Sequence, residues 1–189
     1  GASSFVLGQS GAHVIGIEGR ADSVRRAEYV RDQLGFKNVE FYVGNVMNRY
    51  LWHSVDAVFA AGILYHLDRP FQFLDLIGEF SRQGVFFCTH CAPENQEQFD
   101  RSNANVKKVL KNDLHAELFH DQLIEVMTYK EPADVQEIQE NGKRRHPRSS
   151  VGTNISVWLT QEGLVKAMTT LDYRYHQKIQ GNLETMRFR

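Results

Sequence analysis

The stretch from Val14 to Asn45 limits the fold more than any other. It reads Val-Ile-Gly-Ile-Glu-Gly-Arg, then a charged helical pattern, then Val-Glu-Phe-Tyr-Val-Gly-Asn. The pattern is strand, helix, strand, with the first strand ending on Glu18-Gly19 and the second on Gly44-Asn45. In an open parallel sheet, ligands sit outside the carboxyl ends of the strands. A carboxylate there can accept hydrogen bonds from both cis hydroxyls of a ribose, and Gly19 lets the backbone approach closely. An Asn at the next strand end can read an adenine edge. Together these features describe a seat for an adenosine.

The rest of the chain continues the alternation. Ala12 to Glu18 is Val- and Ile-rich and predicts a strand. Val24, Ala27, Tyr29, Val30 and Leu34 recur at helical spacing over 21–34, with Gly35 placed to end the helix. Strands are predicted over 39–43 and 55–61, the latter so apolar that burial on both faces is expected. Residues 46–53 read as a loop or short helix. Gly62 to Pro70 follows as a loop, Pro70 starts a helix, Gly84 is expected to end it, and Val85 to Thr89 is a further buried strand. Beyond Pro93 the sequence is polar. A helix near 101–112 and a short strand pair near 122–131 are expected there. Thr160 is placed to cap a helix over 161–171, with Gly163 a weak spot. Tyr173–Ile179 and Leu183–Phe188, joined by Gln180-Gly181-Asn182, predict an antiparallel hairpin. The fold class is therefore α/β: a doubly wound, mostly parallel Rossmann-like sheet closed by an antiparallel C-terminal hairpin. Residues 1–189 read as one domain, with 93–157 as an insertion on the substrate side.

The formal net charge of −1 gives no general pull toward nucleic acid or anionic lipid. No apolar run reaches the length of a membrane span, and no signal-peptide pattern opens the sequence. Two cysteines cannot make a disulfide scaffold, so a reduced cytoplasmic setting is the default. Cys88-Thr89-His90-Cys91 offers three potential metal ligands, but strand alternation splits them between two faces, and no second pair is evident. No metal is expected. The basic run Lys143 to Arg148 reads as a solvated loop or, through Arg148, as an anion or substrate contact.

The chain resembles class I S-adenosylmethionine-dependent methyltransferases, in the branch with a Gly-Ile-Leu-Tyr-His-Leu loop after the fourth strand and a Ser-x-Trp-Leu-Thr segment before the last helix. The residues that carry the resemblance are Gly1 to Arg20, Gly44-Asn45-Val46, Asp56 to Pro70 and Ile155 to Leu171. The family's first strand and the leading acidic-x-Gly-x-Gly of its glycine loop do not precede Gly1. The sequence thus reads as a fragment, with 12–18 and 55–61 expected either side by side or flanking a strand-wide position.

The resemblance implies S-adenosylmethionine as cofactor and S-adenosylhomocysteine as product. Glu18 would hold the ribose hydroxyls, flanked by Gly19 and Arg20. Asn45 would bond the adenine amino group, with Val46 on the ring. Ala61 and Gly62 would lie by the methionine portion, and Gly1 beneath its tail. Methyl transfer needs mainly alignment and exclusion of water, helped by a general base when the acceptor is a hydroxyl or amine. His66 is the candidate base, Tyr65 an orienting group, and His90, Arg148 and Trp158 candidate substrate contacts. His66 and Trp158 have structural readings as well: a backbone-bonded imidazole and a core-packed indole. The acceptor would be a small molecule, sugar or lipid-linked group. Two other readings remain open: a non-catalytic or truncated domain of this fold, and a tRNA-modifying relative with a similar Tyr-His loop. The oligomeric state is not legible.

Overall fold

A computed structural model of the 189-residue chain describes residues 1–93, 114–130, 155–179 and 184–188. The predicted helix near 101–112, the basic run with Arg148 and the turn at 180–182 lie outside the described residues. The chain divides into two compact units, Gly1–His53 and Ser54–Arg189.

The first unit contains α1 (Ala2–Gln9), β1 (Val14–Glu18), α2 (Ala21–Leu34) and β2 (Val39–Val43). β1 and β2 run parallel, Val14 opposite Val39 and Glu18 opposite Val43. Gly35 ends α2 at φ 73°, and the Phe36 N–H closes back on the Arg31 carbonyl. The left-handed turn is the reason for glycine there. Phe5 of α1 packs on Phe36 and Phe41 with centroids 5.5 and 5.8 Å away. Asn38 ties the unit together, its amide donating to the carbonyls of Gly8 and Ala12 at 2.8 Å each. Within 46–53, read as a loop or short helix, residues 49–51 form a short helix.

The second unit holds β3 (Val55–Ala61), α3 (Pro70–Phe80), β4 (Ser81–Thr89), β5 (Leu114–Phe119), β6 (Gln122–Lys130), β7 (Ile155–Leu159), α4 (Gln161–Thr170), β8 (Tyr175–Ile179) and β9 (Glu184–Phe188). One sheet has the order β3-β4-β9-β8. Its β3–β4 pair is parallel, and the C-terminal hairpin is antiparallel as the sequence predicted. β1 and β3 belong to separate sheets. A second, three-stranded antiparallel sheet has the order β5-β6-β7, with α4 against β6. The core comprises Phe73, Leu74 and Ile77 of α3, Val85 and Phe87 of β4, and Ile124, Met127, Leu164 and Met168 around α4. Among the described residues, no helix is long and apolar enough to cross a membrane.

Three expectations are corrected. Gly84 does not end α3; the helix stops at Phe80 and β4 begins at once at Ser81. Between the pairs Val55↔Ser81 and Ala57↔Gly84 the ladder shifts by one residue. Gly84 therefore marks a bulge in a strand, a second common use of glycine. β3 is not buried on both faces: Phe59 is 44% exposed, and among the described residues the strand pairs with β4 alone. The strand pair near 122–131 is instead a hairpin over 114–130. Its turn, His120-Asp121, has φ of 45° and 64°. That left-handed pair suits a two-residue hairpin but lacks the Asn-Gly or Asp-Gly signature.

Thr160 caps α4 as predicted, its Oγ1 accepting from Gly163 N at 2.9 Å. Gly163 has a packing reason. A Cβ there would lie 2.8 Å from the Glu125 carbonyl oxygen, 2.9 Å from Thr160 Oγ1 and 3.0 Å from Ile124 Cγ2. Gly163→Ala would gain about 0.5–1 kcal/mol of helix preference, but overpacking against fixed backbone costs about 1–3 kcal/mol. The variant is expected to melt at a lower temperature than the parent; an unchanged or raised melting temperature would contradict this packing.

Candidate active site

In the second unit the chain turns sharply where β3 ends. Gly62 sits at φ 68°, which a side chain disfavours, and its N–H donates to the Cys88 carbonyl at 2.8 Å. A single 3₁₀ turn, Leu64–His66, follows. The His66 N–H closes it on the Ile63 carbonyl at 2.9 Å, and the buried Leu64 side chain anchors it. The Leu67 carbonyl then accepts from Val157 N at 2.8 Å, which fixes the loop to β7. On the other side, β4 ends at Thr89. Ala92 donates to the Leu159 carbonyl at 2.8 Å and bridges to Thr160, so His90 is held between two anchored points.

These ties bring together four residues singled out in the sequence. The Tyr65 ring lies 4.2 Å from the His66 ring and 4.6 Å from the His90 ring, centroid to centroid, and meets Trp158 edge-on at 5.8 Å. His90 stacks on Trp158 at 5.7 Å with 11° between planes. The opposite neighbour in the stack is Tyr129 of β6, at 4.7 Å and 24°. Trp158 is only 8% exposed, and its Nε1–H donates to Ser156 Oγ at 3.1 Å. The indole therefore acts as a wall that fixes the plane of His90. The Tyr65 hydroxyl lies toward Gly62, 3.7 Å from where a Cβ on that glycine would be. Partial burial, and then the nearby His66, lower the pKa of His90 from the ordinary imidazole value. His90 is thus a neutral, proton-accepting ring at neutral pH. Ala61 is exposed beside Gly62 at the end of β3.

The first unit contains the other set. Glu18 ends β1, and its Oε1 accepts from Arg20 N at 2.9 Å across Gly19. The Arg20 guanidinium is 4.0 Å from the same oxygen. Glu18 Oε2 makes no hydrogen bond to the described residues. Asn45 Oδ1 accepts from Met47 N at 2.9 Å, a local turn that holds the side chain still. The Val46 carbonyl accepts from Trp52 Nε1 at 2.7 Å. Gly1 caps α1, its carbonyl accepting from Ser4 N at 3.1 Å. Arg148 is not among the described residues. Also among the described residues, no three metal-ligating side chains converge.

A family model described as "Methyltransferase domain" matches residues 1–146. The chain belongs to this family. It is a class I S-adenosylmethionine-dependent methyltransferase domain, the family that the sequence resembles. Solved structures agree on the fold. The N-terminal domain of EvdMO1, crystallised in the presence of SAH and D-fucose, superimposes with a TM-score of 0.69 at 21% identity, covering 100% of this chain and 70% of that one. A SAM-dependent methyltransferase from Methanosarcina mazei gives 0.56 at 14% identity, covering 98% and 84%. The DhpI-SAM-HEP complex gives 0.55 at 15% identity, covering 100% and 74%. Among curated proteins none matches the chain.

Sequence reading of this methyltransferase domain missed Tyr129. It lies in a strand whose partner, β7, is 26 residues or more away in sequence, and no local motif marks it. The strand register alone would have found it, by placing Tyr129 opposite Ser156 and so beside Trp158.

The lowered pKa of His90 leads to a direct test. In an NMR titration its ring should change charge below the ordinary imidazole value of about 6.5. His66→Ala should raise that midpoint only part of the way, because burial is the larger cause. A His90 midpoint at or above the ordinary value would show that partial burial among these rings does not disfavour the charged imidazole.

Proposed function

We propose that this domain transfers a methyl group from S-adenosylmethionine to a hydroxyl or amine of a small acceptor, a sugar being the first choice. The observation that carries the reading is the ring cluster at the loop after Gly62, in which Tyr65 is flanked by the imidazoles of His66 and His90 at 4.2 and 4.6 Å. Aromatic walls with a few proton-accepting groups suit a ring acceptor that carries hydroxyls. The D-fucose present with the EvdMO1 domain is in keeping with that choice.

For the cofactor, Glu18 presents an acceptor oxygen, Oε2, that the described chain does not use, which fits a ribose diol. Asn45 spends Oδ1 on the Met47 N–H. The amide NH₂ is therefore the group left to a ligand, a donor suited to an adenine ring nitrogen rather than to the exocyclic amino group. Gly19 and Arg20 would flank the ribose, with Val46 on the ring face. Gly1, Ala61 and Gly62 are assigned to the methionine portion by family resemblance. When bound, S-adenosylmethionine supplies a methyl group already activated on its sulfonium.

The chain then has to orient the acceptor, exclude water and take one proton. Tyr65 would hold the acceptor hydroxyl. His66 would accept its proton as the oxygen bonds to the methyl carbon and the methyl–sulfur bond breaks, the electron pair staying with the sulfur of the departing S-adenosylhomocysteine; the imidazolium then returns the proton to solvent. Trp158 and Tyr129 keep His90 in place, and Arg148 would help bind an acidic acceptor. Residues 1–189 then form one methyltransferase domain, with 93–157 as its acceptor-side insertion.

The test is formation of S-adenosylhomocysteine from S-adenosylmethionine over a panel of free sugars, sugar conjugates and amines. Turnover with none of them would count against a small hydroxyl or amine acceptor. Glu18→Ala should weaken S-adenosylhomocysteine binding in calorimetry by about 1.5–3 kcal/mol, the scale of hydrogen bonds to a charged group. The melting temperature should hold, because Glu18 is at a strand end. Unchanged affinity would remove Glu18 from the ribose. His66→Ala should lower turnover by roughly 10²–10⁴ with that affinity nearly intact. If affinity and stability fell together, His66 would be structural; if activity were full, the base would be His90 or none.

A further inference from the structure

We infer that two copies of this chain associate through β5, edge to edge and antiparallel, about a two-fold axis at Ala116. Among the described residues β5 pairs with β6 alone, whereas at the far side of the same sheet β7 is followed by the bridge between Ala92 and Thr160. An open edge is a template for another strand, and proteins blunt such edges with Lys, Pro or bulges. Leu114–Phe119 reads Leu-His-Ala-Glu-Leu-Phe and contains no Lys, Pro or Gly.

The register of the hairpin decides which backbone groups face the open edge. A two-residue turn at His120-Asp121 makes Phe119 and Gln122 a hydrogen-bonded pair. By alternation, Glu117 and His115 also turn their backbone groups to β6. Leu118, Ala116 and Leu114 turn theirs outward. A two-fold axis at Ala116 sets Ala116 opposite Ala116 of the second copy, and Leu114 opposite Leu118, so that these outward groups pair with one another.

The same axis sets His115 opposite Glu117 of the second copy, twice, at the non-hydrogen-bonded positions where facing side chains come closest. Within one chain His115 Nε2 and Glu117 Oε1 already meet at 3.1 Å, with both side chains about two-fifths exposed. The complementarity belongs to this register. Moving the axis by half a residue sets outward backbone groups against inward-turned ones, moving it by one sets Glu117 against Glu117 of the second copy, and moving it by two sets Glu117 against Phe119. Beside the seam, Leu118 and Leu123 face each other across the hairpin at 66% and 62% exposure. A seam of one short strand belongs among the weaker associations.

Sedimentation velocity over a wide concentration range tests the inference on the whole chain. A monomer–dimer equilibrium is expected. Ala116→Pro removes an N–H that faces the open edge and not β6, so it should abolish the dimer while the fold, followed by circular dichroism, is kept. Glu117→Lys should weaken the dimer roughly tenfold or more. His115→Glu combined with Glu117→Lys exchanges the signs across the seam and should restore it. A chain monomeric at every concentration, or a dimer that survives both single variants, overturns the inference. Should Ala116→Pro unfold, the exchange decides alone: a double variant no tighter than Glu117→Lys overturns it equally.

Discussion

Two backbone hydrogen bonds hold the candidate active site together: Val157 N to the Leu67 carbonyl, and Ala92 N to the Leu159 carbonyl, both 2.8 Å. They join three stretches of chain that are distant in sequence, the loop after β3, the end of β4, and β7. Tyr65 and His66 come from the first, His90 from the second and Trp158 from the third. Each bond sits in a buried or half-buried setting, where an unpaired amide is costly, so the segments are not easily parted. The ring stack rests on this frame, and the lowered pKa of His90 depends on the burial that it produces.

The frame also explains how the work is divided among the rings. Trp158 is walled in by His90 on one face and Tyr129 on the other, and its N–H is spent on the buried Ser156. It offers a ligand little surface and gives orientation instead. His66 and His90 are the more accessible rings, and Tyr65 stands between them with its hydroxyl toward Gly62. A transferase that receives an activated group needs little more from its side chains than this. It must hold an acceptor in line, keep one proton acceptor ready, and leave the rest dry.

Much of the architecture could be read locally. Pro70 at the first turn of α3, Gly35 at the left-handed end of α2 and Thr160 as the cap of α4 each act within a few residues of their position, so composition at one site suffices. The alternation of strands and helices through Thr89, Glu18 at a strand end, and the C-terminal hairpin follow from periodicity in the same way. The His120-Asp121 turn escaped because the left-handed backbone there is imposed by the strands on either side rather than by an Asn-Gly preference. Gly84 was misread because a glycine at a bulge and a glycine after a helix look alike until the register with β3 is known.

The sequence alone determined the family, the adenosine-side candidates Glu18 and Asn45, and the Tyr65-His66 loop, since each is a short motif whose chemistry lies in neighbouring residues. Tertiary structure alone decided that Tyr65, His66, His90 and Trp158 share one cluster, that Tyr129 joins it, and that Gly163 has no room for a side chain. The physical reason is the range of the interactions. Caps, turns and periodicity are settled within one or two turns of chain. Ring stacking, burial and the pKa of a partly buried imidazole depend on what other strands bring alongside, and hydrogen bonds between peptide groups, which every residue but proline can make, leave no signature in the amino-acid sequence.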